Sequence, residues 1–134
     1  MTYITEYNEL HPKEQRQLSY KRRFKAEVPS WDDSMVLLKN ELEKRILPNS
    51  SVLDAGCGHG NYLIDELREK FSSAVGVDVS EEVMNKNICL DKTIVANIEN
   101  MPFENNSFDL VVSLWVVEHL DHPPKVFQEI SRVL

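Results

Sequence analysis

The stretch from Ser51 to Asn61, SVLDAGCGHGN, constrains this chain more than any other. A short apolar run, Val52 and Leu53, ends in an acid, Asp54, and passes into Gly56, Gly58 and Gly60 at alternate positions. Beyond it, YLIDELREKF spaces Tyr62, Leu63, Leu67 and Phe71 along one face of a helix. Strand, glycine turn and helix in that order form a cradle for a nucleotide-derived cofactor. Glycine admits positive φ and lets a ligand reach the main chain, and the helix start presents unpaired N–H groups. A second apolar run, AVGVDVS, brings another acid, Asp78, to a strand end. A glycine turn between a strand and a helix, followed by an acid-ended strand, is a far stronger signal than the glycines alone.

The rest of the chain fits the same plan. Met1 to Ser30 has weak periodicity and reads as an extension, partly helical from Pro12 to Phe24. Asp32 or Asp33 caps a helix that stops before Pro48, with Val36, Leu37, Leu38, Leu42 and Ile46 as a stripe able to lie on a sheet. Ser51–Asp54 is the first strand and Ala74–Asp78 the second. Ser80 caps a helix over SEEVMNKNICL, and KTIVAN is a short third strand. A loop with Pro and Asn-Asn turn chemistry leads to FDLVVSLWVV, which reads as a buried parallel strand. The last helix is entered through Pro123 or Pro124. Alternation of this kind predicts an α/β fold, a parallel sheet with helices on both faces.

Composition narrows the function. The chain has 134 residues, 42% hydrophobic and 28% charged, as in an ordinary globular domain. No apolar run approaches the roughly 18 residues of a membrane span. The N-terminus lacks the build of a secretory signal, and Cys57 and Cys89 have no CxxC spacing, so a reducing cytoplasm is the expected location. Net charge is −7, but the first thirty residues carry six basic against four acidic groups. The acidic body that follows argues against nucleic-acid binding, which needs a basic footprint. The basic segment from Lys21 to Lys25 reads either as a solvated helix face or as a contact for an anion.

VLDAGCGHGNYL, VGVDVSEEVM and ANIENMPFENNSFDLVVSLWVVEHLDHP together resemble the class I S-adenosylmethionine-dependent methyltransferases. Within these, the chain is similar to the type 11 group that includes ubiquinone- and menaquinone-pathway enzymes. The resemblance covers roughly Ser51 to Leu134. It implies a Rossmann-like sheet of strand order 3-2-1-4, with residues 1–30 as an N-terminal extension and 31–134 as an S-adenosyl-L-methionine-binding domain. Asp54 and the backbone of Ala55, Gly56, Cys57 and Gly58, with Gly60, would lie along the methionine part. Asp78 would accept from the ribose hydroxyls and Val79 would pack on adenine. An Asp that reaches the adenine amino group in the family is here Asn97, followed by Ile98; the amide oxygen keeps an acceptor there. Glu99 is an alternative.

Ser113, Leu114, Trp115, Glu118 and His119 follow the fourth strand, where the crevice of this fold opens. Ser113 is expected at the cofactor. His119 is a candidate general base, because an imidazole titrates near neutral pH, or else a hydrogen-bonded part of the site wall. Related quinone-pathway enzymes carry an acid where Trp115 stands, so no metal site is implied. Trp115 reads as a wall of the acceptor pocket or as core packing. Cys57 reads as a small buried residue and not a nucleophile.

The expected activity is methyl transfer to a small-molecule or lipid-like acceptor by direct in-line displacement, which asks mainly for alignment. Two other readings stand beside it. One is a cofactor-binding fragment or pseudoenzyme acting through protein contacts. The other is an NAD(P)-binding oxidoreductase, whose fingerprint wants G-x-G-x-x-G where this chain has Asn61 after Gly60. The resemblance also implies strands five to seven beyond Leu134. The chain is therefore expected to be a piece of a longer protein, or to pair as a homodimer through an open fourth-strand edge.

Overall fold

The computed structural model describes residues 12–134, so the expectation for residues 1–11 lies outside the described residues. The chain divides into two units, one up to Arg45 and one from Ile46 to Leu134. The sequence reading begins the Rossmann-like domain at residue 31, which places the helix before Arg45 with the sheet.

The first unit holds α1 (Pro12–Glu27) and α2 (Ser34–Glu43). Asp33 caps α2 by accepting from Met35 N at 3.0 Å. Two cations of the basic segment close the turn between the helices: Lys21 pairs with Asp33, and Lys25 with Asp32 and the Trp31 carbonyl. The Lys21 ammonium holds the Asp33 carboxyl below its ordinary value. Phe24 and Trp31 meet edge to face at 5.3 Å. In the expected stripe on α2, Leu42 is buried while Val36, Leu37 and Leu38 are exposed.

The second unit runs β1 (Ser51–Ala55), α3 (Tyr62–Leu67), β2 (Ser73–Asp78), α4 (Glu81–Met84), β3 (Lys92–Val95), β4 (Leu110–Val112) and α5 (Pro123–Val133). All pairings are parallel and the order is β3-β2-β1-β4, with helices on both faces, as the sequence predicts. Asp54 stands beside Gly76 and Val112 in register. On one face, Leu53, Ala55 and Val77 pack with Val126 and Val133 of α5. Outside that cluster, α3 buries Leu63, Ile64 and Leu67, a run capped by the Asn61 side chain.

Polar clamps hold the connections. Arg132 donates to the carbonyls of Phe103 at 2.6 Å and Met101 at 2.9 Å, while Glu129 accepts from Met101 N at 2.7 Å. These bonds sew the loop before β4 onto α5. The Arg132 guanidinium pulls the Glu129 carboxyl down to about 2. Asp109 accepts from both the N–H and the hydroxyl of Ser51, fixing the starts of β4 and β1 together.

Several expected elements are shorter than the apolar pattern suggests: α2 ends at Glu43, before Ile46 of its expected stripe, and β3 ends at Val95. The helix after Ser80 is a single turn, and Ser80 sits at its cap without a side-chain capping bond. Asn87 ends the segment by turning its amide oxygen to Cys89 N, local bonding of the kind that competes with a helix. The run from Phe108 to Val117 is not one buried strand. Pairing stops at Val112, Leu110 and Val111 are only half-buried, and among the described residues β4 pairs with β1 alone.

Gly76 in β2 has a packing role that spacing did not reveal. A Cβ there would lie 2.3 Å from Leu90 Cδ1 and 2.6 Å from Cys57 Sγ. Gly76→Ala is therefore expected to lower the unfolding free energy by about 1–3 kcal/mol through overpacking, measured as a reduced urea midpoint with unchanged m-value.

Candidate functional site

Parallel pairing brings the C-terminal ends of β1 and β2 side by side and so brings Asp54 and Asp78 to one place. The glycine turn is laid against β2 by backbone bonds. Gly56 N and Cys57 N both donate to the Val77 carbonyl, at 2.8 and 3.1 Å, and Gly58 N donates to Asp78 Oδ2 at 3.0 Å. The turn needs left-handed backbone at Gly56 (φ +83°) and Gly58 (φ +46°). At Gly56 a Cβ would also strike Val116 Cγ2 at 2.3 Å.

Two cavities open at this junction. The larger, about 510 Å³, is lined by Asp78, Val79, Asn97, Ile98 and His119 among others. The smaller, about 240 Å³, is lined by Asp54, Cys57, Gly60 and Asn61 together with His59 and Tyr62. Gly56 and Trp115 belong to both walls. Of the twelve residues expected to bind the cofactor or act as base, nine therefore line a cavity. Ala55, Gly58 and Ser113 line neither. Ser113 donates its hydroxyl to the Ala55 carbonyl at 2.8 Å, which ties the end of β4 to the end of β1.

Asp78 has two sets of partners to serve. Its Oδ1 accepts from Ser80 N at 3.0 Å and its Oδ2 from Gly58 N, so it caps the turn as well as lining the larger cavity. A carboxylate offers about four acceptor sites, which leaves capacity for ligand hydroxyls. Asn97 Oδ1 accepts from Glu99 N at 2.8 Å. Glu99 faces the same cavity and accepts from His122 Nδ1 at 3.1 Å.

The smaller cavity holds an unmet polar requirement. Asp54 is 1% exposed, and its Oδ2 is buried with no hydrogen-bond partner among the described residues. Burial pushes the Asp54 carboxyl up to about 7, with the Asp78 charge acting in the same direction. Asn61 is the complement. Its Oδ1 caps α3 at Leu63 N, and its buried Nδ2 makes no hydrogen bond of good geometry but lies near enough to the Asp54 carboxyl to oppose its upward shift. The two groups are neighbours on the wall of one cavity, where a ligand bearing an ammonium and a carboxylate would find an acceptor and a donor. Asn61 was missed as a site residue. Its signal was there: an Asn directly before an apolar-periodic run.

Cys57 is buried against Gly76, and its thiol is pushed up to about 12 by burial, with the charges of Asp54 and Asp78 adding to the effect. It is a packing residue. Among the described residues no group of three or more His, Cys, Asp or Glu is placed to hold a metal.

Comparison with known proteins agrees with this geometry. A family model described as a methyltransferase domain matches residues 53–134. An uncharacterized protein of Methanocaldococcus jannaschii is 30% identical over 119 residues, covering 84% of this chain and 54% of its own. The 24-methylenesterol C-methyltransferase 2 of Arabidopsis thaliana is 30% identical over 67% of this chain and 27% of its own. The tRNA (carboxymethyluridine(34)-5-O)-methyltransferase of the same plant is 36% identical over 66% and 22%. In solved structures, the YcgJ protein from Bacillus subtilis superposes with a TM-score of 0.65 at 23% identity, covering 75% of this chain and 45% of its own. A chain of the Haloferax volcanii complex between the Trm112 methyltransferase activator and a methyltransferase gives 0.64 at 26%, covering 72% and 46%. The chain spans about half or less of the length of the curated relatives it matches.

The Asp54 environment makes a pH prediction. The folded-state value, about 7, lies above the ordinary 3.8, so the folded protein holds the extra proton between them. The contribution is fully present below pH 3.8 and is lost as pH rises through about 7. Asp54→Asn removes the buried charge. The variant is expected to match the parent below pH 3.8, to exceed it increasingly between pH 3.8 and 7, and to keep that excess above pH 8, by on the order of a few kcal/mol. Urea unfolding across that range checks it.

Proposed function

The chain belongs to the methyltransferase-domain family, the class I S-adenosylmethionine-dependent methyltransferases, and on that premise we propose that residues 51–121 bind S-adenosylmethionine and present it to an apolar, lipid-like acceptor. One observation carries the reading: the partnerless Oδ2 of Asp54, buried in the wall of the smaller cavity. A buried carboxylate oxygen without a donor costs free energy until a ligand supplies one. The ammonium of an amino-acid tail is such a donor, and Asn61 Nδ2 is available for the tail's carboxylate. Asp78 has remaining acceptor capacity for ribose hydroxyls, and Val79 and Ile98 offer apolar surface for a purine. Asn97 lies on the same wall as a contact for the purine amino group.

When bound, the sulfonium would supply an activated methyl group for direct displacement by the acceptor's nucleophile, with the thioether as leaving group. The protein's share is alignment and exclusion of water. Asp54 and Asp78, at adjacent strand ends, anchor the two ends of the ligand, and the Ser113 bond holds the β4 end against them. His119, on the wall of the larger cavity, is our candidate to take the proton from an acceptor hydroxyl or acidic carbon.

An apolar acceptor is supported by the side chains of Trp115, Val116 and Leu120 on the cavity wall and by the sterol methyltransferases among the relatives. The acidic body disfavours a polyanionic acceptor despite the tRNA-modifying relative. No described helix is long and apolar enough to cross a membrane, and we place the protein in the cytoplasm. The unpaired side of β4 is where we would expect a second copy to pair; a dimeric mass by light scattering would support this, and a monomer would remove it.

Calorimetric titration tests the cofactor assignment. S-adenosylmethionine and S-adenosylhomocysteine are expected to bind with 1:1 stoichiometry and NAD not at all. Asp78→Ala should weaken binding at least about tenfold, the loss of charged hydrogen bonds. A folded protein that gives no heat with either compound would falsify the proposal.

A further inference from the structure

Trp115 stands apart from every other residue of the site. Three non-glycine residues among those described adopt left-handed backbone: Asn49, Asn106 and Trp115. Asparagine tolerates that conformation; a bulky aromatic residue does not adopt it without cost. Trp115 has φ +60° and is 76% exposed, so burial of the indole does not offset the strain.

The surroundings impose this conformation. On one side, Ser113 is bonded to the Ala55 carbonyl. On the other, Val116 sits over the Gly56 backbone, where even a Cβ would collide, and accepts from His119 N at 2.9 Å. The chain between these anchors must reverse within two residues, and the reversal turns Trp115 to the seam of the cavities, where it lines both. A strained residue held by packing on both flanks, with its side chain at a ligand-sized opening, is the pattern expected of a ligand-contacting group.

Resting on the cofactor reading above, we infer that Trp115 determines acceptor specificity: its indole is the wall against which a flat, apolar acceptor packs at the seam of the two cavities. Aromatic faces pair with flat apolar groups in offset or edge-on contact, and they shield the reacting atoms from water. Val116 and Leu120 continue the apolar surface beside it. A polar acceptor would leave this surface without a partner.

The chain's two tryptophans make a test direct, because Trp31→Phe leaves Trp115 as the sole indole. In that background, Trp115→Gly and Trp115→Phe are compared by calorimetry for S-adenosylhomocysteine, and then for 2-naphthol with S-adenosylhomocysteine saturating. S-adenosylhomocysteine affinity is measured for all three proteins, so that naphthol binding is read at saturation of each. Naphthol binding should weaken about tenfold in the glycine variant and recover with phenylalanine. Glycine accepts φ +60° freely, so its melting temperature should be no lower than the parent's.

Equal naphthol affinity in parent and glycine variant overturns the inference, as does a parent that binds S-adenosylhomocysteine but no naphthol. A lower melting temperature in the glycine variant overturns it in favour of a structural role. Loss of S-adenosylhomocysteine along with naphthol overturns it in favour of a cofactor clamp. Absence of S-adenosylhomocysteine binding in the parent removes the cofactor reading itself, and the inference with it.

Discussion

The structure depends on the contact between the ends of β1 and β2. Three successive backbone N–H groups, at Gly56, Cys57 and Gly58, are aimed at β2, two at the Val77 carbonyl and one at the Asp78 carboxylate. For these bonds to form, the backbone after Asp54 must turn sharply while staying close to its neighbour. Every glycine in the chain serves that approach. Gly56, Gly58 and Gly60 supply positive φ, and Gly76 makes room for Cys57 and Leu90 beside the turn. A Cβ at Gly56 or Gly76 would push apart the layers that set the distance between the two carboxylates.

That geometry places Asp54 where its charge opposes folding. Asp54 is enclosed, has an oxygen with no donor, and feels the Asp78 charge. A packing-optimised core would hold an apolar residue at this position, and its neighbours in register are Gly76 and Val112. The protein retains an acid there, one of whose oxygens has no hydrogen-bond partner among the described residues. Stability and binding are thus opposed at one residue, and the clamps elsewhere offset part of the cost: Arg132 on the loop before β4, and Asp109 on Ser51. Each ties an exposed connection to the sheet or to α5 and leaves the cavity walls free.

Much of this was legible in the sequence because the relevant signals are local. The first strand ends within one residue of expectation, the glycines stand where the turn needs them, and α5 begins at Pro123. Parallel pairing followed from the alternation of elements, and strand order from the resemblance. What was not legible depends on contacts distant in sequence. The apolar run from Phe108 to Val117 carries no mark at Val112, because its ladder is ended by the Ser113 hydroxyl on a carbonyl of β1. The helix after Ser80 looked longer because its apolar spacing continues, yet Asn87 turns the backbone back to Gly58 and Cys89. Gly76 read as an ordinary strand residue, since the atoms that exclude a Cβ come from residues 57 and 90. Asn61 carried a readable capping signal, but the place of its amide in the site becomes visible only once Asp54 is seen beside it.

The same distinction explains why the cofactor side of the site is better defined than the acceptor side. The proposed cofactor contacts come from strand ends and a glycine turn, whose geometry is determined by backbone hydrogen bonds that leave little freedom. The proposed acceptor side is the connection after β4, where the chain leaves the sheet after three paired residues and turns through a left-handed tryptophan. Such a segment can change its side chains without disturbing the ladder, because its anchors are one serine hydroxyl and the packing of Val116 on Gly56. A rigid half that holds the methyl donor and a replaceable half that meets the acceptor give one fold many substrates. In this chain the replaceable half presents an exposed indole, and the chemistry of that ring is the strongest constraint on what the partner can be.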